Sequence, residues 1–356
     1  MSGSPLARWL EVLAPAAPPQ PLLISLDVSD RCNLRCAMCR AWRRPAAADD
    51  GMSLATFRAL LGGLRGLEGR ELVLIGAEPT LNPALADMVA EATAQGFATR
   101  LFSNGGQLGQ GLAGELAQAG LGRATISVDG AAPSHDHLRG VAGSHARALA
   151  AIRSLSAGHG GCRITVGTNT LVTAATFREL PDLVPLVRAA GATRHSFQIP
   201  SQVPGALCDE GRSSDQYRHA AGAGLLFEPN QVKGARSTLA ALARASRSPS
   251  AAILAALPDE AFLEARFPVA RCRFTGLGLN LDSAGNAYPC SHFHGVSLGS
   301  VAGLGWEAVW SGQERRAFRA GLATGLHEVC RYCCHYVHNL SALRLARAAL
   351  AARLPA

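Results

Sequence analysis

Leu22-Leu23-Ile24-Ser25-Leu26-Asp27-Val28, running straight into Ser29-Asp30-Arg31-Cys32-Asn33-Leu34-Arg35-Cys36-Ala37-Met38-Cys39, is the stretch that decides the fold. Residues 22–28 form a β-rich run, and the loop it delivers carries three cysteines at a C-x3-C-x2-C spacing. Thiolates spaced this way in one loop can converge on three corners of an iron–sulfur cube. The fourth iron then has no protein ligand and can bind a small molecule. A structural zinc site would need four closed ligands, and no fourth lies nearby in sequence.

Further β-rich runs follow at 71–75, 98–102, 124–128, 164–170 and 195–199, with amphipathic stretches such as 54–64, 84–95 and 145–155 between them. Such β-α repeats predict an α/β fold with parallel strands and helices packed outside, an open partial (β/α)6 TIM-like barrel over 21–200. Chemistry in such sheets gathers at the carboxyl ends of the strands. Gly76-Ala77-Glu78-Pro79 ends the second run, Ser103-Asn104-Gly105 the third and Ile126-Ser127-Val128-Asp129-Gly130 the fourth. His135-Asp136-His137-Leu138-Arg139-Gly140 comes next, Asn169 lies on the fifth run, and Gln198-Ile199-Pro200 on the sixth. Taken singly, Glu78 reads as a solvated or capping residue, Asp129 as a turn former, and His135 and His137 as turn or surface residues. Their weight comes from company.

A second cysteine group comprises Cys272, Cys290, Cys330, Cys333 and Cys334. The run 277–288 reads as a β-hairpin turning at Ser283-Ala284-Gly285-Asn286 and leading into Cys290. The chain therefore divides into an N-terminal extension (1–20), the barrel (21–200), a helical connector (201–267), a small cysteine-rich domain (268–339) and a basic amphipathic helix (340–356). That last helix is expected to close the surface rather than anchor a membrane.

Together these motifs resemble the radical S-adenosylmethionine (SAM) superfamily, and the resemblance spans most of the chain. It implies a SAM-binding [4Fe–4S] cluster on Cys32, Cys36 and Cys39. Gly76, Ala77 and Glu78 stand where the family's Gly-Gly-Glu-Pro contacts the methionine amino group, with Ala77 replacing the second glycine. Ser103 and Asn104 match a Thr-Asn-Gly position. Ser127 and Asp129 fall in the ribose-contacting stretch, and Arg139 where an arginine pairs with the SAM carboxylate. Asn169 and Gln198 sit where relatives contact ribose and adenine, and Met38 where an apolar side chain packs on adenine. The late cysteines resemble a SPASM/twitch extension in its shorter twitch form. That form implies one auxiliary [4Fe–4S] cluster on Cys272, Cys290, Cys330 and Cys333, with Cys334 replacing Cys333 or standing by. A zinc knuckle is the structural alternative there.

The resemblance implies reductive cleavage of SAM to a 5′-deoxyadenosyl radical, which takes hydrogen from a peptide or an aminoglycoside/sugar-type natural product. An electron donor such as flavodoxin or ferredoxin is implied as partner. Electron transfer to the auxiliary cluster would give oxidation or bond formation. Epimerisation, with Cys208 returning a hydrogen atom, is the alternative, although an isolated cysteine is more often a small buried apolar residue. The N-terminal extension, 1–20, is not expected to hold a peptide-leader recognition domain, so a peptide substrate is expected to need a separate partner or direct binding in the barrel. The reading from another class is a non-catalytic zinc-binding interaction protein.

Composition sets the outer bounds. The 356 residues are 48% hydrophobic and 17% charged, as in a globular protein with a sizeable core. No run approaches the roughly 18 apolar residues of a membrane span, and no signal-peptide pattern opens the chain. A cytoplasmic protein is expected. Ten cysteines without an export signal point to metal or redox chemistry before disulfides. The net charge of +8 invites a nucleic-acid partner, but aromatics are only 5% and offer few stacking platforms, so none is expected.

Overall fold

Alternation along each strand decides which side chains meet the helices and which face the barrel interior. In β1 (Leu23–Ser29), Ile24, Leu26 and Val28 join the main apolar core, whereas Ser25 and Asp27 line an interior cavity. The same division holds in β2 (Glu71–Gly76) and β3 (Ala98–Ser103), where Val73, Ile75, Arg100 and Phe102 face inward. β4 (Arg123–Ser127), β5 (Thr165–Leu171) and β6 (Arg194–Gln198) complete six strands, each parallel to its neighbour. The computed structural model describes residues 18–43, 51–209, 216, 218, 219, 224–340 and 347.

The crossovers are α1 (Leu54–Gly63), α2 (Leu85–Ala94), α3 (Gln110–Gln118), α4 (Ala132–Arg139) with α5 (Ser144–Ser156), and α6 (Leu180–Ala189). Ser53 caps α1 by accepting a hydrogen bond from the Thr56 amide at 3.0 Å, a contact worth about 1 kcal/mol. The expected partial (β/α)6 barrel is the architecture found. Among the described residues no helix is long and apolar enough to cross a membrane.

The connector forms α7 (Gly205–Asp209), α8 (Pro229–Ser246), α9 (Pro249–Ala255) and α10 (Asp259–Leu263). Helix α9 covers the β6 edge: the Phe197 amide donates to Ser250 Oγ at 2.9 Å, and Ser248 Oγ donates to the His195 carbonyl at 2.9 Å. An edge satisfied this way offers no template for another chain.

The other edge carries the C-terminal unit. β7 (Gly278–Leu281) pairs in parallel with β1, and β8 (Ala287–Tyr288) returns antiparallel to β7, giving one sheet of order β6-β5-β4-β3-β2-β1-β7-β8. The barrel and the cysteine-rich unit therefore share a sheet. Because β7 runs with β1, its turn emerges at the carboxyl end of the barrel. Asp282 Oδ1 accepts from the Ala284 and Asn286 amides, and Ser283 Oγ donates to Asp30 Oδ2 at 2.6 Å, at the root of the first cysteine loop. Four further helices follow: α11 (Val301–Leu304), α12 (Trp306–Trp310), α13 (Gln313–Thr324) and α14 (Tyr336–Asn339). The N-terminal extension up to residue 17 and nearly all of the expected C-terminal helix lie outside the described residues.

Candidate active site

The first cysteine loop is pinned to the end of α4. The Arg35 amide donates to the Arg139 carbonyl at 3.0 Å and the Ala37 amide to the Leu138 carbonyl at 2.9 Å. Gly140 ends that helix at φ 67°, and a Cβ there would lie 2.4 Å from the Arg35 carbonyl oxygen. Only glycine admits both the left-handed cap and so close an approach. Amides of Leu34 and Ala41 point at the Cys32 and Cys39 sulfurs, each at 3.5 Å, and such donors favour thiolates. Burial pushes the Cys32 thiol up to about 11 and raises Cys36 as well, against the pull of Arg139. A metal centre loading here displaces those protons.

A cavity of about 190 Å3 opens beside the loop. Cys32, Cys36, Cys39, Met38, Gly76, Ala77, Glu78, Ser103, Asn104, Ser127 and Arg139 all line it. The strand-end motifs are thus gathered in one place. Gly76 has φ 127°, and a Cβ there would meet the Ser29 carbonyl oxygen at 2.3 Å, so the ends of β1 and β2 approach closely only without a side chain. Glu78 is 1% exposed. Its Oε1 accepts from the Thr80 amide (3.1 Å), Thr80 Oγ1 (2.5 Å) and Ser103 Oγ (2.7 Å), whereas among the described residues Oε2 accepts from the Asn104 amide alone (2.8 Å). Burial raises the Glu78 carboxyl and the four donors oppose that rise. Oε2 retains capacity for one more donor, which suits an ammonium group.

Asp129 is fully buried behind the cavity wall and uses both carboxylate oxygens. Oδ2 accepts from Arg139 Nε at 2.6 Å and Oδ1 from the Leu171 amide at 2.9 Å. Arg139 also reaches the Cys36 sulfur at 4.0 Å. The Asp129 amide donates to His135 Nδ1 at 3.1 Å, which puts the ring proton on Nε2. His135 is 1% exposed, not the turn or surface residue expected, whereas His137 is exposed.

Burial lowers His135 to about 4. Above pH 6.5 the ring is neutral folded or unfolded; below it the unfolded chain takes up the proton first. Stability therefore falls as pH drops from 6.5 towards 4, by on the order of 3 kcal/mol from this residue. Melting temperatures measured across that window should fall less steeply in His135→Asn, whose amide oxygen still accepts from Asp129.

Three expected residues stand apart from this cavity. Asn169 Oδ1 accepts from Ser196 Oγ at 3.0 Å on the neighbouring strand, and neither Asn169 nor Gln198 lines the wall. Half-buried Cys208 sits in α7, also away from it.

The late cysteines form one group. Burial raises the Cys290 and Cys333 thiols, and the neighbouring Cys334 raises both further. Cys272 adds to the rise at Cys290, Cys333 and Cys330, the last pushed up to about 11, mainly by burial. Asn339 Nδ2 donates to the Cys333 sulfur at 3.4 Å. Among the described residues no three His, Cys, Asp or Glu side chains gather as a single ion requires.

A larger interior cavity of about 470 Å3 adjoins the first, sharing Ala41, Gly76, Ala77, Phe102 and Gln216 with it. Its roof comes from the C-terminal unit: Phe274, Tyr288, Ser291, His294, His335 and His338. Inside, Asp27 Oδ2 accepts from Tyr288 OH at 2.9 Å and faces His294 Nε2 at 3.0 Å. Sequence reasoning missed this trio. The available signal was Asp27, a carboxylate on the inward face of a strand beside Ser25.

Residues 26–184 match the model of the Radical SAM superfamily, and residues 272–334 match SPASM, an iron–sulfur cluster-binding domain. The chain is 24% identical to the pre-heme d1 synthase of Dinoroseobacter shibae over 83% of its own length and 74% of that protein. It is 28% identical to the AdoMet-dependent heme synthase of Methanosarcina barkeri over 51% of its length, spanning 52% of that relative. Among solved structures, Streptococcus suis SuiB bound to S-adenosylmethionine superposes with a TM-score of 0.62 at 15% identity, over 85% of this chain and 68% of that one.

Proposed function

The chain belongs to the radical SAM superfamily and carries a SPASM-type iron–sulfur domain, and from that premise we propose that it oxidises, or forms a bond within, a peptide or sugar-type natural product held between two iron–sulfur centres. The observation that carries this reading is the interior cavity. It shares Gly76 and Ala77 with the first-loop cavity, and its roof includes Ser291 and His335, sequence neighbours of Cys290 and Cys334.

When bound, a [4Fe–4S] cluster with SAM supplies the hydrogen-abstracting 5′-deoxyadenosyl radical, and an auxiliary cluster supplies an acceptor for the second electron. Cys32, Cys36 and Cys39 hold the first centre, and Cys272, Cys290, Cys330 and Cys333 or Cys334 the second. Glu78 Oε2 and the Arg139 guanidinium offer opposite charges for the two ends of an amino-acid moiety. Val73, Ile75, Phe102 and Phe274 give the cavity an apolar wall that keeps water from a reactive radical. Oxidising a carbon that bears a hydroxyl or amine also releases a proton. The Asp27 carboxylate, steered by Tyr288 and His294, is the acceptor within the cavity. Epimerisation through Cys208 is less well supported, because Cys208 lines neither cavity.

Iron-reconstituted protein, SAM and dithionite incubated anaerobically in D2O test the reading. The substrates offered should be products of neighbouring genes, with heme precursors included because of the first relative. The expected product is two hydrogens lighter, or newly bonded, with no solvent deuterium at the reacting carbon. Deuterium on an inverted carbon that vanishes in Cys208→Ala overturns oxidation in favour of epimerisation.

A further inference from the structure

The barrel holds another chamber at its opposite end, of about 570 Å3, where the amino ends of β4, β5 and β6 meet. Arg100, Arg123 and Arg194 enter it from the strands, Arg188 from the last turn of α6, and Arg247 from the turn after α8. Among the described residues no acidic side chain lines it. One carboxylate compensates: Glu71 pairs with Arg123. Arg188, Arg194 and Arg247 have no carboxylate partner among the described residues and are exposed at the rim.

The arrangement is costly for an empty chamber. Arg100 and Arg123 are opposed in the parallel β3–β4 register, where two like charges on neighbouring strands repel. Burial lowers Arg100; Glu71 offsets this, and Arg123 and Arg194 lower it again. Gly167, between β4 and β6, adds no side chain to the space: a Cβ there would lie 3.3 Å from Arg194 Cβ. Guanidinium forks match the oxygens of phosphate or carboxylate groups, and the Thr125 hydroxyl beside them, which accepts from Arg100, keeps its own proton to donate.

The geometry points to a binding site in the barrel floor for a small polyanion bearing phosphate or carboxylate groups. It lies at the end of the strands remote from the cysteine loops and stands independently of the radical reading. Arg100 connects the two regions. It lines both this chamber and the interior cavity, donates to Thr125 Oγ1 at 3.0 Å, and lies over the Phe102 ring at 4.5 Å. Occupancy of the floor therefore bears on the wall of the interior cavity.

Calorimetric titration of the iron-loaded protein at low salt, with inorganic pyrophosphate in one arm and citrate in the other, tests the site. One anion per chain is expected, with affinity falling about tenfold or more in Arg194→Gln and in Arg247→Gln. Tighter binding of pyrophosphate assigns a phosphate ligand, and tighter binding of citrate a carboxylate one. Both substituted side chains are exposed, and unchanged melting temperatures without anion show that each variant folds. Failure of both anions to bind, or binding undiminished in both variants, overturns the proposal.

Discussion

Alanine at Cys32, Cys36 and Cys39 together abolishes 5′-deoxyadenosine formation from SAM under dithionite, a loss of at least about a thousandfold, or some 4 kcal/mol in barrier. Iron falls from about eight to about four atoms per chain, the content of one remaining cubane. The reason is donor chemistry: an alanine methyl has no lone pair, and no other cysteine lines the cavity beside the loop. Alanine at Cys290 and Cys330 has the opposite profile. It removes the other iron, leaves SAM cleavage running and stops conversion of substrate. Iron assay and chromatography of 5′-deoxyadenosine separate the two cases. Cleavage undiminished in the triple variant ends the assignment of the first loop.

The barrel was legible because its signals are local. Leu23–Ser29 alternates between core and interior positions within a single strand, and the cysteine loop follows in the next residues. Glu78 and Asn104 group together on sequence alone, since each closes a strand motif of a parallel series. The parallel pairing of β7 with β1 was hidden, because Leu23 and Gly278 meet only through sheet register. Periodicity carries no record of which strands adjoin. The same gap concealed Asp27 with His294, and the arginines of the barrel floor, each unremarkable on its own strand. His135 was misread for another reason: a histidine beside Asp136 and His137 looks solvated until the helix turns it inward. Cys208 stood out by its solitude in sequence, but its helix lies off both cavities.

Asp129→Asn destabilises the protein by about 3 kcal/mol and weakens SAM binding about tenfold. The substitution is nearly isosteric, so the effect comes from charge and donor geometry. Asp129 is wholly buried and accepts on both oxygens, from Arg139 Nε and from the Leu171 amide. An asparagine accepts on one side only and turns its NH2 towards a second donor on the other. The Arg139 side chain is 12% exposed, so its charge is left poorly compensated when its partner becomes neutral. Arg139 ends the helix that pins the cysteine loop and lines the cavity itself, so its loosening reaches both. For a chain of this size the cost lowers the melting temperature by about 4 °C. Calorimetry on Asp129→Asn, Arg139→Gln and the double variant measures the pair directly. The double variant should cost about as much as either single change, because each removes the same interaction. Strictly additive losses would mean that the two side chains act separately, and that Asp129 does not position Arg139.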